Sequence, residues 1–231
     1  MPKLTRRQSL VLAGAATAGG VLALSGSGSA TPAAAPAAPA PDPARKWRTI
    51  SSRDAIRERY FPNYKLVTHE GKQVLLYDDL VKDKVMLLNF MFSSCDRICP
   101  RVTQNLVGVQ RLLGQRVGRD VFMYSFTLDP VHDTPEALAE YAKMHRVGPG
   151  WSFITGAPAI LEDLRRRLGF TDPDPKRDAD RENHIGNVRY GNETRELWGA
   201  CPGMSTPQYI VESLGWVEKP APRSAPRARP V

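Results

Sequence analysis

Cysteine is scarce in this 231-residue chain: there are three, and none precedes Cys95. No thiol is therefore available for lipid attachment near the N-terminus. Long hydrophobic runs are missing as well. The most apolar early stretch, Leu10 to Leu24, is mild, rich in Ala and Gly, and shorter than the roughly 20 apolar residues that a membrane span needs. There is no internal repeat. The basic residues are scattered and are not interleaved with aromatics, which argues against a nucleic-acid-binding surface. Histidine is also rare, with four in all, so each deserves a reading of its own.

What is present begins with an address. Thr5-Arg6-Arg7-Gln8-Ser9-Leu10 carries paired arginines, and Gly28-Ser29-Ala30 offers small residues for cleavage. Residues 1–30 read as a twin-arginine export signal, and the absence of an anchor predicts a soluble mature protein outside the cytoplasmic membrane. Residues 31–45 form an Ala/Pro-rich linker with no capacity to build a core. A second biased tract, residues 218–231, ends the chain with Arg223, Arg227 and Arg229 and is read as a disordered basic tail. The formal charge of +8 is concentrated in these flanks, so the body between them, residues 46–217, is only slightly basic. Its length suffices for one domain with a proper core.

Residues 85–100 organise that body. Val85 to Phe92 is an apolar run of strand length broken only by Asn89, as in a strand buried on both faces. Ser93-Ser94 ends it. Residues 101–116 then read as a helix with Val102, Leu106, Val109 and Leu113 on one face. Cys95 and Cys99 thus fall on the turn between a buried strand and a helix N-terminus, where orphan N–H groups and the helix dipole favour a thiolate. The competing reading is a structural disulfide, common in exported proteins. Closing so small a loop removes little chain entropy, which makes stapling the weaker role. The turn reads as a soft-ligand or redox site.

The remaining elements follow from local signals. Tyr64 to His69 and Gln73 to Tyr77 flank Glu70-Gly71-Lys72 as a hairpin. Val121 to Leu128 is a second apolar strand ended by Asp129-Pro130. Asp133-Thr134-Pro135-Glu136 starts a helix running to Arg146. Trp151 to Thr155 is a third core strand, Pro158 to Leu168 a helix closed by Gly169, and 171–183 a polar loop. Gly186 to Tyr190 and Thr194 to Trp198 read as a closing hairpin turning at Gly191-Asn192. Ser205-Thr206-Pro207 caps a last helix through Leu214. Alternating strands and helices predict an α/β fold, a central mixed sheet with helices on both faces. The C-x-x-x-C turn after the central strand points to the thioredoxin-like arrangement.

Three features converge: Cys95-x-x-x-Cys99-Pro100, the segment from Thr127 through Asp129, His132 and Asp133 to Glu136, and His184 ahead of a late strand. With Leu88-Asn89-Phe90, Glu136-x-Leu138-x-x-Tyr141 and Trp151-x-Phe153-x-x-Gly156, they resemble the Sco/SenC family of thioredoxin-like copper proteins over residues 60–215. The resemblance implies that Cys95, Cys99 and His184 bind one copper ion, Cu(I) or Cu(II). The donor chemistry agrees, since two thiolates and an imidazole suit copper, whereas zinc ordinarily takes a fourth ligand. Without the resemblance, His184 reads as a surface loop histidine. His132 belongs to the Asp-Pro turn, and His69 and His145 look structural. Asp129 either orients a ligand or only forms its turn. Position 96, often Pro in the family, is Asp here. Cys201 is a third thiol: a small buried residue, a mixed-disulfide partner or, with Met204, a further soft ligand.

Family resemblance implies a metallochaperone, located in the periplasm or on the outer face of the cytoplasmic membrane. It would deliver copper to the binuclear copper site of cytochrome c oxidase or a related copper enzyme. Its partners would be the copper-receiving oxidase subunit and a thiol reductant such as a thioredoxin-like protein. No substrate bond is made or broken in that role, so it is not enzymatic in the usual sense. The alternative is a thiol–disulfide oxidoreductase that keeps the client's cysteines reduced through Cys95 and Cys99. A thiol peroxidase is a third reading. Arg97 and Thr103 lie near the cysteines in sequence, but their spacing gives no reason to place them on a peroxide.

Overall fold

The computed structural model describes residues 50–180 and 186–218. The export signal, the linker and the tail beyond Glu218 lie outside the described residues, as does His184. In chain order the elements are α1 (Ser52–Tyr60), β1 (Lys65–Thr68), β2 (Gln73–Leu75), β3 (Val85–Met91), α2 (Cys99–Leu113), β4 (Val121–Thr127), α3 (Pro135–Met144), β5 (Trp151–Thr155), α4 (Pro158–Arg167), α5 (Pro175–Ala179), β6 (Asn187–Asn192), β7 (Leu197–Pro202) and α6 (Pro207–Glu218). The strands form one seven-stranded mixed sheet in the order β2-β1-β5-β4-β3-β6-β7. β3, β4 and β5 are parallel, while β6 runs antiparallel to β3.

The strand pleat sorts the core into two layers. Leu87 and Met91 of β3 face α2, α3 and α6, joining Val102, Leu106, Leu138, Ile210 and Leu214. Met86, Leu88 and Phe90 face the other way, toward Phe61 and the α4 residues Leu161 and Leu164. Helices thus cover both faces, as the alternation of elements predicts. Among the described residues no helix is long and apolar enough to cross a membrane.

The polar break in β3 is satisfied across the sheet. Asn89 pairs in register with Ser125, whose hydroxyl donates to Asn89 Oδ1 at 2.7 Å and accepts from Trp151 Nε1 at 3.0 Å. A buried hydrogen-bonded chain across three strands therefore replaces the apolar contact that Asn89 forgoes, as buried polar groups require.

The sequence reading needs several corrections of boundary. α2 begins at Cys99 and not at 101, because Pro100 fits the first turn, where a missing N–H costs nothing. The polar stretch 171–183 contains a short helix, α5, capped by the Asp174 side chain. Tyr77 is not in a strand but in a π-helical turn, Leu76–Val81. The closing hairpin turns at 193–195 and not at Gly191-Asn192. Asn192 is the last residue of β6, its side chain accepting from the Arg195 N–H, and Glu196 takes the left-handed conformation at φ 54°. The turn is held by Glu193, a 2 % exposed carboxylate. Arg53, the Tyr77 hydroxyl and the Asp83 N–H all donate to it. Burial works to raise the Glu193 pKa, but these donors together hold it below the usual carboxylate range. α1, unforeseen from the sequence, brings Arg53 to this carboxylate.

Candidate metal centre

The carboxyl ends of the parallel strands β3 and β4 lie side by side, the location where open α/β sheets place their ligands. The turn leaving β3 carries Cys95; the turn leaving β4 carries Asp129 to Asp133. The two are stitched together. Leu128 N–H donates to Met91 O at 2.8 Å. Asp133, 1 % exposed, accepts from the Ser93 N–H, the Ser93 hydroxyl and the Thr127 hydroxyl. Sequence reasoning assigns Asp133 to a helix start. In the structure the cap of α3 is Thr134, and Asp133 holds the first residue of the cysteine turn.

Cys95 and Cys99 are both buried, at 4 % and 1 % exposure, and all three cysteines of the chain are thiols. Cys95 N–H closes back onto Phe92 O at 3.3 Å, and Cys99 opens α2. The Ile98 cap gives α2 no side-chain acceptor, and its first turn contains no acid. By contrast, Ser51, Thr134 and Asp174 cap α1, α3 and α5 with side-chain oxygens. The positive end of α2 is thus left to whatever charge develops on the cysteines. Tyr141, bonded to Thr103 at 2.9 Å, lies under the turn. Burial pushes its phenol up to about 12, against the Thr103 hydrogen bond, and negative charge on Cys99, Cys95 and Asp133 reinforces the shift.

The other candidates divide. Asp129 pairs with His132 Nδ1 at 2.8 Å, and that imidazole is largely exposed. His69 Nδ1 accepts from the Phe153 N–H at 3.2 Å, a structural role. His145 ends α3, its ring tilted against that of Tyr141 with centroids 4.3 Å apart. Cys201 sits on β7 beside Tyr190 and Ser213. Burial raises its pKa, and the Ser213 hydroxyl opposes the shift. Met204, half exposed, lines a shallow depression with Asp96, Arg97, Ile98 and Arg101, on the outer side of the cysteine turn. Among the described residues no three His, Cys, Asp or Glu side chains converge as a metal site, so the described donor set is the dithiol. Two sulfurs without a carboxylate fit a soft cation in preference to calcium, magnesium or manganese.

Two glycines mark where the chain returns to this turn. Gly203 N–H donates to Gly186 O at 2.8 Å. A Cβ on Gly186 would lie 2.5 Å from Ile98 Cδ1, and one on Gly203 would lie 2.6 Å from Gly186 O and 2.9 Å from Val102 Cγ1. The start of β6 is therefore pressed against the residue that precedes Cys99.

A mixed sheet with helices on both faces and a dithiol between its central strand and the next helix defines a thioredoxin-like thiol protein. A family model described as SCO1/SenC matches residues 53–215, and the chain belongs to that family. It is 34% identical over 88 residues to a SCO1 protein homolog of Bacillus subtilis, a stretch covering 38% of this chain and 44% of that one. The chain spans about half the length of the curated relatives it matches. Among solved structures it is similar to Bradyrhizobium japonicum ScoI with copper bound, at 21% identity and a TM-score of 0.54, covering 67% of this chain and 96% of that one. It is likewise similar to BsSco, described as a member of the Sco family of cytochrome c oxidase assembly proteins. There the identity is 22%, the TM-score 0.54 and the coverage 66% and 89%.

Proposed function

We propose that this protein is an exported copper metallochaperone in which Cys95, Cys99 and His184 hold one copper ion as cargo. The observation that carries the proposal is the return of the chain to the cysteine turn. β6 runs antiparallel to β3, so its beginning lies at the end of β3, and Gly186 rests on Ile98. His184 is two residues before Gly186. In this proposal its imidazole supplies the third copper ligand beside the two sulfurs. Copper bound to B. japonicum ScoI and the soft character of the two thiols support the choice of metal.

In this reading Asp133 holds the turn, and the copper passes to client thiols by ligand exchange. The acceptor is the binuclear copper site of cytochrome c oxidase or a related copper enzyme outside the membrane, and a thioredoxin-like reductant keeps the pair reduced. Residues 1–30 would direct export by the twin-arginine route, and residues 46–217 would form the delivered domain.

One observation favours a second reading. Both cysteines are thiols, one on the turn after β3 and one opening α2, so the pair can also act as a thiol–disulfide oxidoreductase. Forming the Cys95–Cys99 disulfide releases two electrons and two protons, which reduce a client disulfide to two thiols. His184 has no part in that exchange. Metal analysis of the reduced protein therefore separates the readings: wild type should retain one copper, and Cys95→Ser and His184→Ala should lose it. Full copper retention by His184→Ala, with client disulfide turnover intact, would overturn the chaperone assignment in favour of the reductase.

A further inference from the structure

A cavity of about 400 Å³ opens on the face of the sheet opposite the cysteines, within the size range of ligand pockets. Its walls are Met86 and Leu88 of β3, Trp198 of β7, Phe61 and the α1 residues Ile56 and Tyr60. One polar group there is left over. The half-buried Arg189 guanidinium lies 5.5 Å from the Phe170 ring centroid, and no carboxylate pairs with it among the described residues. Burial pulls its pKa below the ordinary guanidinium range.

Neighbouring arginines are not in that condition. Arg167, on the same rim, pairs with Asp163 and donates to the carbonyls of Glu58 and Arg59. Arg165 is held by Glu162 and Asp178. Nor is Arg189 needed to cap α4, whose last carbonyls accept the N–H groups of Gly169 and Phe170. Gly169 instead makes room for it. Its φ is +67°, and a Cβ there would lie 2.6 Å from Arg189 Nη2.

An apolar chamber with one unpaired cation specifies its occupant. A neutral hydrocarbon would fill the chamber but leave the cation unmet. A small inorganic anion would meet it and leave the chamber empty. We propose that this cavity binds a medium-chain aliphatic carboxylate, with its carboxylate on Arg189 and its chain against Phe61, Met86 and Leu88. A half-buried cation gains from an anion brought into the same low-dielectric space. The site is separate from the cysteine turn and does not depend on the metal reading.

The test is a titration of the full-length chain with decanoate below its micelle concentration, followed by calorimetry and tryptophan fluorescence. Decan-1-ol and acetate serve as the chain-only and charge-only probes. One saturable site for decanoate is expected, with each control at least ten-fold weaker. Arg189→Gln should weaken decanoate at least ten-fold, and Arg189→Lys should keep part of the affinity. Absence of decanoate binding, equal binding by Arg189→Gln, or decanol binding as tightly as decanoate would each overturn the proposal. Should Arg189→Gln fail to fold, the wild-type comparison of decanoate with decanol decides.

Discussion

Asp133 accepts two hydrogen bonds from Ser93, 40 residues away in the chain, one from its N–H at 3.1 Å and one from its hydroxyl. That pairing ties the turn after β4 to the first residue of the cysteine turn. Asp133→Ala would leave the buried Thr127 hydroxyl and two part-buried Ser93 donors without their acceptor. A loss of about 3 kcal/mol in unfolding free energy is expected, because buried donors left behind by a charged partner are costly. Copper affinity should fall roughly 10- to 100-fold, the usual effect of removing a group that orients a ligand. Urea denaturation and competition with a Cu(I) chelator read the two effects.

Gly203 and Gly186 differ in what a methyl group would meet. On Gly203 it would press into the Gly186 carbonyl, which is backbone and cannot swing aside. On Gly186 it would meet the end of the Ile98 side chain. Gly203→Ala should therefore cost about 2 kcal/mol, within the range of overpacking, and Gly186→Ala clearly less. Parallel denaturation curves check the ordering, and equal costs would contradict it.

Cys201 lies in β7, where burial raises its pKa, while Cys95 sits on the turn ahead of α2. Turns open at lower free energy than core strands. Alkylation of the native reduced protein should reach Cys201 at least ten-fold more slowly than Cys95. Cu(I) should protect Cys95 and Cys99 only, and Cys201→Ser should still bind one copper. Mass spectrometry of timed samples measures the rates.

The Asp178–Arg165 ion pair closes the segment between α4 and α5 at 2.7 Å. The Arg165 hydrogen bonds, working against burial, hold the Asp178 carboxyl at about 2, below its ordinary 3.8. A depressed carboxylate stabilises the fold above its unfolded pKa and loses that contribution as pH falls through the folded one. The difference in stability between wild type and Asp178→Asn should thus be constant above about pH 5 and shrink between about pH 4 and 2. A difference that grows toward low pH would reverse the sign of this linkage.

Much of the fold was legible because periodicity and punctuation agreed. The run Val85 to Phe92, the Asp-Pro stop after β4 and the Thr134-Pro135 helix start all carry local signals, and each marks a real element. The two cysteines were placed by their position between strand and helix. What escaped depends on contacts made at long range. α1 has no buried residue of its own to give it an apolar face, and its Arg53 finds Glu193 140 residues later. The hairpin turn was displaced because Gly191-Asn192 has the composition of a turn. In the structure Gly191 is a strand residue whose missing side chain leaves room for the Trp198 ring. Asp133 was readable as a helix start, but its bond to Ser93 requires knowing that β3 and β4 are parallel neighbours.

The buried chain from Trp151 through Ser125 to Asn89 sets a height as well as satisfying polar atoms. Sliding β3 by one residue along β4 would turn Asn89 into the apolar layer beneath α4 and leave Ser125 facing hydrocarbon. Only one alignment avoids both penalties. That seam therefore acts as a ruler laid across the sheet, fixing how far the two sulfurs project beyond its rim.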